Sequence, residues 1–211
     1  MDETLIMHIG DTPESVYRFL ERLIDELQPD VIIHTGDLVD NVKLERRPEL
    51  KPAYEAGLRK LARILKGSGA KLYIVPGNED CKKLLQEFFG DSIVEPGSIV
   101  GIEGKTFALG HSWRDVANKE ADFKLYGHNF KVIPSGLNAV LGINFIFLPS
   151  GRTVRVDYPV GTDTAREGLQ EVLRHRRIRR REKDRLGEAR KVRLKVRACK
   201  GRKGRARKSA Q

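Results

Sequence analysis

Val31-Ile32-Ile33-His34-Thr35-Gly36-Asp37-Leu38-Val39-Asp40 holds the pattern from which the rest of the chain can be read. Three β-branched apolar residues in a row are the mark of a short strand buried on both faces, and the Gly-Asp pair after them is the turn that ends it. The same grammar recurs upstream, where Leu5 to Ile9 runs into Gly10-Asp11-Thr12, and downstream, where Lys71 to Val75 runs into Pro76-Gly77-Asn78-Glu79-Asp80. Between them lie two amphipathic stretches. One places Val16, Phe19, Leu20, Leu23, Ile24 and Leu27 on one face, with Pro13 where a first helical turn would begin; the other carries Tyr54, Leu58, Leu61 and Leu65. Strands alternating with helices at this spacing predict a mostly parallel sheet, whose carboxyl ends are where such sheets bind ligands.

Past Ser92 the helical period fades. Ile99 to Ile102, Thr106 to Leu109, Phe123 to Tyr126, Val140 to Leu148 and Thr153 to Val156 read as strands joined by Gly and Pro turns, which fits a second sheet packed on the first. Two of these runs also end in Gly-His pairs, Gly110-His111-Ser112 and Gly127-His128-Asn129. Each of the five loops therefore offers an oxygen or imidazole ligand at a strand end, the way a metal site is assembled on a sheet. A single Gly-Asp or Gly-His pair means little. Five in register, each after an apolar run, make coincidence a poor account.

Composition bounds the remainder. The 211 residues suit one domain with an appendage, and 39% hydrophobic content is enough for a core. No apolar run approaches the roughly 20 residues of a bilayer span, and no signal segment opens the chain, so a soluble cytoplasmic protein with no membrane partner is expected. Cys81 and Cys199 are too far apart for a disulfide framework to be argued, and Cys81 reads as a small buried residue opening a helix. The net charge of +11 is unevenly placed: residues 174–211 hold 19 Lys and Arg against 3 Asp and Glu, so the rest of the chain is mildly acidic. A helix is expected from Asp163 or Thr164, with Leu169, Val172 and Leu173 as its stripe. Gly187 interrupts it, and Val192, Leu194 and Val196 alternate with Arg193, Lys195 and Arg197 beyond. The division expected is residues 1–162 as the folded domain, 163–186 as an increasingly basic helix and 187–211 as a Lys/Arg/Gly-rich tail. A polycation almost without aromatics reads as a binder of phosphate backbones, RNA slightly before DNA, through residues 174–211.

The order of the five motifs resembles the calcineurin-like metallophosphoesterases, in particular their small single-domain phosphodiesterases. The resemblance covers residues 1–157 and implies an α/β fold, a four-layer αββα sandwich of two facing mixed sheets flanked by helices. It also implies a dinuclear metal centre at which a metal-bound hydroxide attacks phosphorus in line. Carried over by position, Asp37 corresponds to the carboxylate bridging both metals, and Asn78, His111 and His128 to the other ligands of the second metal. Asp11 and Asp37 are left for the first metal, because the two histidines the family pattern supplies there are replaced by Pro13 and Phe130. Two carboxylates favour a hard ion at that position. The expected cofactor is one or two divalent ions, Mn²⁺ foremost, with Mg²⁺, Zn²⁺, Fe²⁺ or Ni²⁺ as alternatives.

Other departures bear on roles. Glu79 stands where the family places His or Cys beside the leaving group, and reads as a general acid or, with Asp80, as a replacement ligand. Arg114 reads either as a contact to a substrate phosphate or as a surface cation paired with Asp115. His8 and His34 lie within strands and read as core histidines, and Asp40 as a brace for the metal loop. Two functions follow from the resemblance: a metal-dependent phosphoesterase, most plausibly a phosphodiesterase with a nucleic-acid-binding tail, or a catalytically degenerate one-metal fold that serves as a platform for RNA or protein.

Overall fold

A computed structural model describes residues 3–159 and residue 162. The helix and tail expected from residue 163 onward lie outside the described residues. Strands β1 (Thr4–Ile9), β2 (Val31–His34) and β3 (Lys71–Ile74) are parallel neighbours, and α1 (Tyr17–Leu27) and α2 (Lys51–Gly67) are the crossovers between them. α3 (Lys82–Phe89) follows β3, with Cys81 half-buried at its N-cap. The second sheet is built from β4 (Ser98–Ile102), β5 (Lys105–Leu109), β6 (Phe123–Tyr126) and β7 (Gly136–Asn138), and a short helix, α4 (Trp113–Val116), leaves β5. β8 (Ile143–Leu148) and β9 (Arg152–Val156) then return to the first sheet, whose order is β3-β2-β1-β8-β9.

Both sheets are mixed. β8 runs antiparallel to β1 and to β9, while in the second sheet β4 is antiparallel to β5, and β5, β6 and β7 are parallel. The period-two alternation of β1 sorts its side chains between two cores. Leu5, Met7 and Ile9 face the helices with Leu20, Ile24, Leu58 and Leu61, whereas Ile6 joins Val31, Ile33, Phe107, Leu109, Leu125 and Leu148 between the sheets. The outer face of the second sheet is covered by Val116 of α4 on Ala108 and Tyr126. Helices, sheet, sheet and helix give the four layers.

The structure departs from the sequence pattern at one place that matters. The run from Val140 to Leu148 is not one strand: Ala139–Leu141 is a 3-10 turn, because the Asn138 side chain accepts a hydrogen bond from the Val140 amide (3.0 Å) and caps it. Apolar periodicity does not register such a cap. The late strands are also not all in the second sheet, since β8 and β9 extend the first.

All five ligand loops lie at carboxyl ends of strands, and they prolong the parallel ladders beyond the strands themselves. The Asp11 amide donates to the Gly36 carbonyl (2.8 Å), Thr12 to Asp37 (3.0 Å), Val75 to His34 (2.8 Å) and Gly127 to His111 (2.8 Å). Register in the sheets is thereby transmitted to the loops. Because Leu125 is fully buried between the sheets, Leu125→Ala is expected to cost about 2–5 kcal/mol in urea denaturation. The exposed Ile99→Ala should stay within about 0.5 kcal/mol of the parent.

Candidate metal centre

His111 is oriented by its backbone surroundings. Its Nδ1 lies 2.8 Å from the Thr35 carbonyl, which only accepts, so Nδ1 carries the proton and Nε2 is turned outward. Nε2 lies 3.0 Å from Asn78 Oδ1 and 3.5 Å from Asp37 Oδ1. The Asn78 amide is itself fixed, because its Nδ2 donates to Glu45 Oε2 (2.9 Å). Three acceptors thus converge with no donor among them unless the ring or the Asp37 carboxyl takes a proton. This is the arrangement of a site that holds either a cation or a proton.

The electrostatics agree. Burial pushes the Asp37 carboxyl up to about 8, helped by the negative charges of Asp11 and Asp80 and opposed by His111. Burial alone would lower the His111 pKa, but Asp37 and Asp11 outweigh it and raise the ring above its ordinary value. The pair retains a proton that a cation would have to displace.

His128 completes one group: ligand atoms of Asp37, His111 and His128 lie within 4.8 Å of one another, and the rings of His111 and His128 are 4.7 Å apart. A second group, Asp11, Asp37 and Asp40, meets the same limit. The Asp11 carboxylate accepts from the His128 amide (2.9 Å), tying the two groups together. Asp40, expected as a brace, does pair with Lys43 (2.6 Å) but also belongs to this carboxylate set. Pro13 is buried as the N-cap of the turn before α1. Phe130 is 36% exposed.

Two glycines make these approaches possible. A Cβ on Gly77 would collide with Asp37 Oδ1, and one on Gly127 with Asp11 Oδ2. Asp11 (φ 50°), Asp37 (φ 54°) and His128 (φ 67°) all adopt left-handed backbone, which is uncommon outside Gly and is held by the loop hydrogen bonds. The family model for calcineurin-like phosphoesterases matches residues 4–189. The chain belongs to this family.

The chain is similar at low identity to several solved structures. One chain, 13% identical, is covered over 100% of its length and covers 74% of this chain at a TM-score of 0.52. YfcE, a phosphoesterase from E. coli, is 16% identical with 74% of this chain and 100% of its own covered, at 0.47. AQ665 from Aquifex aeolicus, a protein of unknown function, is 20% identical with 64% and 89% covered, at 0.41. No curated protein sequence matches the chain. Membership of the calcineurin-like phosphoesterases implies a divalent metal, and the donors present fit one: imidazole, carboxylate and amide oxygen, already deprived of competing donors.

The remaining candidates make contacts of their own. The Glu79 amide donates to Asp37 Oδ1 (3.0 Å), while its carboxylate Oε2 accepts from the Glu45 amide (2.8 Å). Asp80 points away from the ligand groups. Its Oδ2 accepts from the amides of Asp37 and Gly77 (2.8 Å each), and its Oδ1 from the Leu38 amide and Tyr54 hydroxyl (2.9 Å each). Arg114 is exposed and lies over the Trp113 ring at 5.2 Å, and Asp115 is engaged by the Ser112 amide (2.7 Å). His8 and His34 are structural: Asn144 Nδ2 donates to His8 Nδ1, whose Nε2 then donates to Thr35 Oγ1, and the Gly36 amide donates to His34 Nδ1, whose Nε2 donates to Thr12 Oγ1. Burial holds both rings neutral, with pKa near 3. Among the described residues no helix is long and apolar enough to cross a membrane.

Sequence reasoning missed Glu45 and Thr35, which orient Asn78 and His111. Glu45 follows no motif, and Thr35 acts through its carbonyl, so residue type carries no signal in either case. Two measurements follow. Asp80→Ala is expected to cost about 2–3 kcal/mol or more and to weaken Mn²⁺ binding, read by denaturation and metal titration. The raised Asp37 and His111 pKa values mean that the chelated folded state holds protons the unfolded chain has released. Stability of the EDTA-treated protein is therefore expected to be highest below about pH 4 for the Asp37 contribution and to fall as pH rises through about 8. Added Mn²⁺ should reverse the fall, read as melting temperature against pH.

Proposed function

We propose that this calcineurin-like phosphoesterase is a metal-dependent phosphodiesterase. The observation that carries the reading is the convergence of His111 Nε2, Asn78 Oδ1 and Asp37 Oδ1, three acceptors with their own donors already spent on Thr35 and Glu45. Asp37, Asn78, His111 and His128 would hold one divalent ion, and Asp11, Asp37 and Asp40 offer an all-oxygen set for a second, harder one. Mixed imidazole and oxygen donors suit Mn²⁺. When bound, such ions supply a nucleophile at neutral pH and neutralise charge developing on phosphoryl oxygens.

The chain's own residues do the rest. Arg114, exposed three residues after His111, contacts a non-bridging phosphate oxygen through its planar donor fork. Glu79 acts by position: it bridges the Asp37 carboxylate and the Glu45 loop that aims Asn78. In the overall reaction a water oxygen bonds to phosphorus as the bond to the departing alcohol oxygen breaks, and the water's proton ends on that alcohol. Residues 174–211 tether nucleic acid by phosphate contacts, which makes activity on RNA steeply salt-dependent.

With Mn²⁺ present, the full chain is expected to hydrolyse bis(p-nitrophenyl) phosphate, and Asp37→Asn or His111→Gln to lower kcat at least about a hundredfold. Restoring histidines with Pro13→His and Phe130→His should raise the rate if the carboxylate set lacks a firmly held ion. One tightly bound ion with no turnover in either form would instead support the degenerate platform.

A further inference from the structure

Three histidine rings converge on one residue pair, Thr35 and Gly36, and only His111 among them is a candidate ligand. The peptide unit joining the pair is held at both ends. Its carbonyl, that of Thr35, accepts from His111 Nδ1 (2.8 Å), and its amide, that of Gly36, donates to His34 Nδ1 (3.2 Å). The third ring acts on the Thr35 side chain: His8 Nε2 donates to Thr35 Oγ1 (3.1 Å), whose own proton goes to the Ile9 carbonyl (3.3 Å). His8 and His34 are fully buried, and each is held from behind. The Asn144 amide donates to His8 Nδ1 (3.2 Å), and His34 Nε2 donates to Thr12 Oγ1 (2.9 Å). All of their ring nitrogens are thus engaged by protein groups, so neither has a lone pair to offer an ion.

This peptide unit lies where the sheet no longer dictates the backbone. β2 ends at His34, which is the last partner in the β1–β2 ladder, so the Thr35 carbonyl turns to His111 instead of to a strand. Gly36 follows at φ 95°, a conformation that glycine adopts with no steric penalty and that leaves the plane of the unit to be set by its hydrogen bonds. A Cβ on Gly36 would stand 2.5 Å from His111 Nδ1, so the ring packs directly on the unit. A tilt of that plane would carry His111 Nε2 away from Asn78 Oδ1 and Asp37 Oδ1, now 3.0 and 3.5 Å from it. We infer that His8 and His34, beyond filling the core, are positioning residues of the metal centre: they fix Thr35 and Gly36, and through them the direction of His111 Nε2. Apolar side chains could occupy the same volume without two buried polar rings to satisfy. The inference rests on the reading of His111 as a metal ligand and adds two residues that act on it from within the core.

The two rings use different nitrogens, which allows a crossed test in the full chain. Gln carries its amide at the depth of a histidine Nε2, and Asn at the depth of Nδ1. His8→Gln can still donate to Thr35 and His34→Asn can still accept from Gly36, whereas His8→Asn and His34→Gln cannot. In EDTA-stripped protein titrated with Mn²⁺, the two matched variants are expected to keep the parent Kd and the two mismatched ones to weaken it about tenfold. The same order of Asn and Gln at both positions, or one Kd for all four, overturns the inference, because a space-filling role follows side-chain size and not the nitrogen used. If a mismatched variant fails to fold, Thr35→Val removes the hydroxyl at nearly constant shape and should weaken Mn²⁺ about tenfold, while Thr35→Ser should not; equal affinities in that pair overturn the part assigned to His8. Leu20→Ala, which opens a cavity on the helix side of the first sheet, should lower the melting temperature and leave the Kd unchanged. A second readout needs no ion: in the EDTA-treated chain the His111 ring Nδ1–H resonance should shift and exchange faster with water in the mismatched variants alone. An unmoved resonance overturns the inference. Failure of the parent to bind Mn²⁺ would remove the metal reading of His111, and this resonance would still decide whether His8 and His34 aim the ring.

Discussion

Three backbone amides from two loops, those of Asp37, Leu38 and Gly77, end on the single carboxylate of Asp80, with the Tyr54 hydroxyl as a fourth donor. This contact joins the ends of β2 and β3 and anchors both to α2. With the two loops locked, the Glu79 amide reaches Asp37 and Gly77 passes close enough to Asp37 that no Cβ fits. The loops of the second sheet are tied to the first by the Thr35 carbonyl, which accepts from His111 Nδ1, and by the Asp11 carboxylate, which accepts from the His128 amide. Ligands from separate strands in two sheets act as one unit because their backbones are bonded before their side chains meet a cation.

The two halves of the centre are unlike in their chemistry. The His111–His128 half combines imidazoles with a fixed amide oxygen. The Asp11–Asp40 half is carboxylate only, with Pro13 buried next to it and Phe130 turned to solvent. The Thr35 carbonyl and the Glu45 carboxylate orient His111 and Asn78, both on the imidazole side. The asymmetry is local because the supports are local.

Much of the fold was legible because its strands are short, apolar and punctuated by Gly. β1, β2 and the buried faces of α1 and α2 follow directly from residue pattern. What escaped depended on contacts between distant residues. The Asn138 cap that interrupts the Val140–Leu148 run is a side chain to backbone bond, and the return of β8 to β1 is a pairing choice between two sheets of similar polarity. At the site, the family resemblance implied Asp37, His111 and His128 as neighbours, whose ligand atoms lie within 4.8 Å of one another. It did not reveal that Asp80 grips amides rather than facing the cation, nor that Glu45 and Thr35 set the angles. Those roles belong to positions, and any residue with a carboxylate or a carbonyl could have held them.

Asp11, Asp37 and His128 share one further property, their positive φ. Side chains that bind divalent cations and side chains that an L-residue can carry in that conformation form overlapping alphabets, with Asp, Asn and His in both. A loop bent this way favours Gly and a few polar residues, and Asp and His, which can also chelate, occupy all three of these positions.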